Sequence, residues 1–387
     1  MDKVRYGIVG VGKQGSFYAS GIFKKMKSLI PGAELTAVCD ISAERRDWAR
    51  KNLPGVQVYE KYQDLFASGL IDAVMIETPH YLHPEIGIAA LDAGLHVLCD
   101  KPAGVYTAQV RELIAAADRH PELLFGMMFN QRTNPLYIRA KELIDSGALG
   151  ELKRIVWIIT DWYRPKAYYD QGGWRGTWDG EGGGVLLNQC PHQLDLFTWL
   201  AGLPVSVTAT TSTRGRDISV ENDVTAYCKF ANGATGVFIT STHDAPGTNR
   251  LEITGDGGKV VIENGKLVFT KNAEMEPAFS AHNTVFMGRP KTKKITYRGV
   301  GYYAHFRKYP PQHVGIIKNY TEYLLGKTDV FIAPGREGIT GLTLSNAIHL
   351  SGWLNREVTL PLDEELFLSE LNKRREVERR EKAGKKE

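Results

Sequence analysis

At 387 residues the chain is longer than one ordinary hydrophobic core supports, so two domains are expected. Its 48 Lys and Arg against 44 Asp and Glu leave a net charge of only +4. The signs interleave, without a basic stripe alternating with aromatics, which argues against a nucleic-acid partner. No apolar run is long enough for a bilayer, no leader-like segment precedes the first apolar run, and Cys39, Cys99, Cys190 and Cys228 are too scattered for a disulfide or metal framework. A cytoplasmic chain without a membrane partner is the expectation.

From residue 4 to about 125, apolar strands alternate with amphipathic helices. Strands are predicted at Arg5 to Val9, Glu34 to Cys39, Ala73 to Glu77, His96 to Cys99 and Leu124 to Met128. Helices are predicted at Gly15 to Met26, Ala43 to Asn52, His83 to Ala93 and Thr107 to His120, with Gly94 as a stop. That alternation implies a doubly wound parallel sheet over residues 1–128.

Gly10, Gly12 and Gly15 form a GxGxxG between the first strand and its helix, where a backbone without side chains can approach a pyrophosphate. Asp40 ends the second strand, where a carboxylate accepts a ribose hydroxyl and repels a 2′-phosphate, so NAD is favoured over NADP. Arg45 and Arg46 follow on an amphipathic helix and read as solvated charges. Thr78-Pro79-His80-Tyr81-Leu82-His83 and Asp100-Lys101-Pro102 follow two further strands, at the carboxyl edge where such sheets place ligands.

After Asn130 a helix at Pro135 to Ser146 leads to β-branched runs at Arg154 to Thr160, Val205 to Ser212, Val224 to Phe230, Thr235 to Thr242 and Arg250 to Thr254. Turns at Asn232-Gly233, Asp256-Gly257-Gly258 and Asn264-Gly265 suit tight hairpins. An α+β domain over 129–365, with a large and mostly antiparallel sheet, is expected. The stretch Asn272 to Pro311 is the least regular and reads as a long loop over the site. Residues 366–387 mix charges densely and read as a solvated helix or tail that frays.

Pro191 suits a first helical position, and His192, Asp195 and Trp199 then share one helix face. An imidazole near a helix N-terminus is biased toward its neutral form, able to take up or relay a hydroxyl proton. Trp162-Tyr163-Arg164, Tyr168-Tyr169 and Trp174 to Trp178 gather aromatic faces and guanidinium donors of the kind that bind sugar rings, although Tyr168 or Trp199 taken singly reads as core. The pairs His80 with His83 and Cys190 with His192 lack the further ligands or geometry that metal or thiol chemistry needs, so no metal is expected.

The chain resembles the Gfo/Idh/MocA oxidoreductases, whose signature is a glycine fingerprint, a TPxxxH loop and a Glu-Lys-Pro loop. The last appears here with Asp100 in place of glutamate. A second family pattern is matched by Gly182, Gly183, Gly184, Asn188, His192, Asp195 and Trp199, with Asn188 where many members carry aspartate and Cys190-Pro191 before the histidine. The resemblance extends to Ile317 to Leu325, Pro334 to Gly338 and Val358 to Leu362. It implies a Rossmann domain, catalytic roles for Lys101 and His192, and cofactor contacts from Thr78, Pro79, His83, Asp100, Lys101, Trp174 and Arg175.

It further implies an NAD-dependent dehydrogenase acting on a sugar, glycoside or cyclic polyol, plausibly at carbon 3 of a pyranoside, with Trp162, Tyr163, Arg164, Asn188 and His192 on the substrate. A homo-oligomer through the C-terminal sheet is also expected. Lysine can serve as base only if its pKa of about 10.4 falls by two to three units; otherwise it polarises the oxygen while histidine moves the proton. Two other readings stay open: a redox-neutral glycosidase using tightly bound NAD, and a non-catalytic NAD or sugar sensor.

Overall fold

The computed structural model describes residues 2–171, 173–298 and 312–384. It divides into two compact units, Met1–Thr133 with Tyr302–Leu342, and Asn134–Gly301 with Thr343–Glu387.

The first unit is built on a six-stranded sheet: β1 (Val4–Val9), β2 (Ala33–Cys39), β3 (Gln57–Tyr59), β4 (Ala73–Ile76), β5 (His96–Cys99) and β6 (Phe125–Met127). Their order is β3-β2-β1-β4-β5-β6, with every pair parallel. Strands β1, β4 and β5 are buried nearly throughout, as a sheet covered on both faces requires. Strand β3 is the one that sequence periodicity passes over, because three residues, one exposed and two half-buried, carry no pattern. The first helix opens at Lys13–Ser16 and widens into a π-helical stretch, Phe17–Lys25, that turns Tyr18, Ala19, Ile22 and Phe23 inward.

A boundary at 128–129 is overtaken by the return of the chain to this unit. The helix Gln312–Leu324 buries Tyr320 and Thr321, whose hydroxyls bond the Leu124 carbonyl (2.9 Å) and the Tyr6 hydroxyl (2.7 Å). The Met127 amide donates to Ala333 O (2.9 Å), and the buried Arg132 pairs with Glu337. These contacts are distant in sequence, so apolar spacing alone did not reveal them.

The second unit carries a nine-stranded sheet of β7 (Leu152–Ile159), β8 (Ser206–Ser212), β9 (Asp223–Lys229), β10 (Thr235–Ser241), β11 (Asn249–Gly255), β12 (Gly258–Glu263), β13 (Lys266–Asn272), β14 (Thr292–Arg298) and β15 (Val358–Thr359). All its pairings are antiparallel except β7 with β10. The expected turns at Asn232-Gly233, Asp256 to Gly258 and Asn264-Gly265 join adjacent strands, Asn264 and Gly265 both at positive φ as a two-residue hairpin demands. Alternation puts Trp157, Phe238, Leu251 and Phe269 in the core, under the helices Pro135–Asp145 and Pro191–Ala201.

Two expectations are corrected here. Asn272 to Pro311 is not one long loop: it holds a helix, Glu276–His282, and strand β14, whose Lys-rich exposed sequence hid its sheet pairing; 299–311 lie outside the described residues. The charged C-terminal segment is a helix, as one of its two readings has it, but it packs on its unit where a solvated helix was expected. It forms the helix Glu364–Gly384, anchored by buried Phe367 and Leu371 and by Arg374 stacked 4.0 Å over Trp353. The Glu378 carboxylate accepts from the Asp179 amide (2.9 Å), and Arg375 and Arg379 clasp the Asp179 carboxylate.

Candidate active site

In the first unit the site is assembled at the carboxyl edge of the parallel sheet. A Cβ at Gly10 would lie 2.6 Å from Glu77 O, and one at Gly15 only 1.9 Å from Gly10 O, so these two glycines let the turn close on itself. Gly12 differs: a Cβ there would meet nothing within 4 Å, so its backbone faces open space where a dinucleotide phosphate can approach. Asp40 directly follows β2, its carboxylate accepting from the Val11 amide (2.8 Å) and the Ser42 amide (2.9 Å), which ties this acid to the glycine turn.

The two arginines beyond Asp40 are not solvated charges. Arg45 folds back to donate to Val11 O and Gly12 O, and Arg46 donates to Asp40 O (3.0 Å) and Ile41 O (2.8 Å) while pairing with Glu60. Both guanidiniums are spent on the scaffold.

Thr78 and Pro79 follow β4, and the Thr78 hydroxyl is shielded from water without a hydrogen-bond partner among the described residues, as a group meant for a ligand would be. His83 takes a different place from the one the motif suggests. Buried, its ring nitrogens lie 2.7 Å from Pro102 O and 2.8 Å from Thr78 O, so it clamps the two loops together instead of offering a donor to a ligand. Burial pushes its pKa down. Lys101 follows β5, its amide donating to Asp100 Oδ1 (2.8 Å).

One acid in this edge has no counterpart in the sequence reading. Glu77 directly follows β4, both of its carboxylate oxygens are shielded, and burial followed by the neighbouring Asp100 charge holds its carboxyl well above the usual range. Its position one residue before the Thr-Pro pair was the available signal.

In the second unit the glycine run is fixed by acids. Glu221, 3% exposed, accepts from the Gly184 amide (2.9 Å) and the Leu186 amide (3.0 Å) and pairs with the fully buried His349 (3.0 Å). Glu181 accepts from the Gly176 amide (2.6 Å) and from the Asn188 side chain, and burial pushes its carboxyl up to about 7. Asn188 lies on the turn Val185–Gln189; Pro191 then starts the next helix, with half-buried His192 in its first turn and Asp195 buried one turn on.

Tyr168 is more than core. Its hydroxyl accepts from Arg175 (2.7 Å), Gln189 (3.2 Å) and Asn188 (3.3 Å), and its ring lies between the guanidiniums of Arg164 (5.0 Å) and Arg175 (4.8 Å). Arg164 also covers Trp162, and Arg175 covers Trp174. The structure therefore joins Trp162, Arg164, Trp174, Arg175 and Asn188 into one cation–aromatic cluster through a tyrosine that no spacing rule singled out. Tyr163 is half-exposed beside Arg216, 5.4 Å from its ring.

A parallel sheet with a glycine turn, an acid after its second strand and a lysine at one edge defines a dinucleotide-binding protein. Comparison makes this specific. Residues 4–127 match the model described as oxidoreductase family, NAD-binding Rossmann fold, and residues 137–261 match the GFO/IDH/MocA C-terminal domain. Together these span more than half of the chain, which belongs to the Gfo/Idh/MocA family.

Among curated relatives, the uncharacterized oxidoreductase YdgJ of Escherichia coli is 34% identical over 54% of this chain and 56% of its own. The inositol 2-dehydrogenase of Rhizobium meliloti is 25% identical over 92% of this chain and 99% of its own. The chain aligns with about half the length of the first of these curated relatives. Among solved structures, the WlbA dehydrogenase of Chromobacterium violaceum, in complex with NADH and UDP-GlcNAcA, shares 27% identity. It covers 94% of this chain and 97% of its own, with a TM-score of 0.77. No helix among the described residues is long and apolar enough to cross a membrane.

Proposed function

We propose that this chain is an NAD-dependent oxidoreductase that oxidises a ring secondary alcohol of a sugar, glycoside or cyclic polyol. The observation that carries the proposal is the alignment of open-faced Gly12, Asp40 and Lys101 along the carboxyl edge of one parallel sheet. The bound nicotinamide supplies a hydride acceptor. The chain supplies the rest: Gly10, Gly12 and Gly15 cradle phosphate, Asp40 takes the ribose, and Thr78, Pro79 and Asp100 border the nicotinamide end. Lys101 and His192 are the groups proposed to polarise the alcohol and take its proton.

The substrate class rests on two supports. A relative named for inositol and another crystallised with a nucleotide-linked sugar acid share a ring bearing several hydroxyls. In this chain the Trp162 indole N–H and the Arg164 Nε are shielded from water without an acceptor among the described residues, beside aromatic faces that would pack on a sugar ring. The test is incubation with NAD and a panel of inositols, free sugars and aryl glycosides, following reduced nicotinamide and released aglycone. Reduced nicotinamide with a ring polyol or sugar is expected. Aglycone release without net reduction, or turnover only of linear acids, would overturn the reading.

A further inference from the structure

We propose that Glu77 keeps its proton and donates it to the Asp100 carboxylate, and that this bond fixes the carboxyl group orienting the Lys101 loop. Strands β4 and β5 run parallel with Ile76 opposite Cys99, so Glu77 and Asp100 are the next residues on neighbouring strands. The Asp100 amide donates to Ile76 O (3.1 Å), which locks that register at the strand ends. Asp100 then turns Oδ1 to the Lys101 amide (2.8 Å).

Among the described residues no donor reaches either Glu77 oxygen, both are shielded from water, and the strand register sets Asp100 beside Glu77. Two ionised carboxylates are acceptors only and cannot bond to each other. One proton turns the contact into a short, charge-assisted O–H···O⁻ bond and removes the repulsion of two adjacent anions. The proton rests on Glu77, the acid whose oxygens are shielded from water, and a single negative charge remains on the two groups.

The surroundings favour that state. Lys101 is the cation facing Glu77, and the buried Tyr18 phenol and Cys99 thiol, both pushed up in pKa, face the pair as neutral groups. His83 and His313 face Asp100 and Lys101, and burial pushes the pKa of both rings down. Glu77 also backs the glycine turn, where a Cβ at Gly15 would lie 3.4 Å from its own Cβ. A second negative charge there would repel the dinucleotide phosphates that the turn is proposed to cradle. Glu77 is thus a positioning residue acting through Asp100; the inference rests on the proposed function only for what Lys101 does once positioned.

Glu77→Gln separates proton donation from packing, because its amide donates permanently to Asp100 and imitates the protonated acid. In pH-difference infrared spectra of the cofactor-free protein, the parent should show the carbonyl stretch of a shielded protonated carboxyl at neutral pH. Glu77→Gln should lack it, as should Asp100→Asn. NADH affinity of the parent should fall by about tenfold per pH unit once Glu77 loses its proton, while Glu77→Gln loses that alkaline limb. A band that survives both substitutions, or a Glu77→Gln affinity profile parallel to that of the parent, would overturn the proposal. Inactivity on every sugar would instead sink the proposed function and leave the infrared result standing.

Discussion

Removing the Glu221 carboxylate should loosen the glycine run of the second unit and destabilise that unit severely. The carboxylate accepts from the Gly184 and Leu186 amides and pairs with His349, all away from solvent. Glu221→Ala leaves two buried amides without acceptors, at about 1–3 kcal/mol each, and removes the carboxylate beside the buried His349 ring. These losses overlap, so about 3–5 kcal/mol is expected in total. Glu221→Gln is the instructive control. Its oxygen can keep the two amides while its NH₂ donates to His349 Nε2 in the tautomer protonated at Nδ1, leaving a cost of about 1 kcal/mol. Urea unfolding followed by tryptophan fluorescence reads this unit, since every tryptophan except Trp48 lies in it. An alanine variant within 1 kcal/mol of the parent, or a glutamine variant as costly as alanine, would refute the reasoning.

Lys101→Ala should lower turnover by about a hundredfold or more with NAD affinity nearly unchanged, and His192→Ala should do so less severely; near-parental rates in both would remove them from catalysis. Calorimetry should show tighter binding of NAD than NADP, because Asp40 is the acid proposed to take the ribose while Arg45 and Arg46 are committed to backbone carbonyls. Glu181 gives a pH signature. With its folded pKa raised to about 7 from an ordinary 4.5, its contribution is full below 4.5 and is lost as pH rises through 7, by at most about 3 kcal/mol. The stability difference between the parent and Glu181→Gln should therefore shrink over that window, and a flat difference would contradict it. Arg164→Ala should raise KM about tenfold or more and lower kcat less, and NMR of the product should place the new carbonyl at a ring position, with carbon 3 the proposed one.

The first unit was legible because its elements obey local rules. Helix Ala43–Asn52 begins and ends where spacing and the Ser42 cap put it, and β5 matches at both ends. The motifs then fell at strand ends because a parallel sheet leaves them nowhere else. What stayed hidden depended on partners far away in sequence. The return of 312–342 to the first unit is visible only in contacts such as Tyr320 with Leu124, and the burial of Glu378 only in its bond to Asp179. Tyr168 looked like ordinary core because its importance comes from three donors, Arg175, Gln189 and Asn188, that meet it only in the fold.

The two glycine clusters, alike on paper, have different causes. Gly12 faces open space, so the absence of a side chain there serves what comes from outside. At Gly184 a Cβ would lie 1.9 Å from Glu221 O, and the space belongs to the chain itself. There the glycine lets a backbone carbonyl approach while the same residue's carboxylate binds the Gly184 amide, so one glutamate grips the run from two sides. An alanine at Gly12 should therefore fold normally and weaken cofactor binding, whereas an alanine at Gly184 should fail in stability first, with any loss of activity following from the displaced Asn188 turn. A Gly184→Ala protein of parental stability would show that the close approach is not needed, and would return that glycine to the ligand.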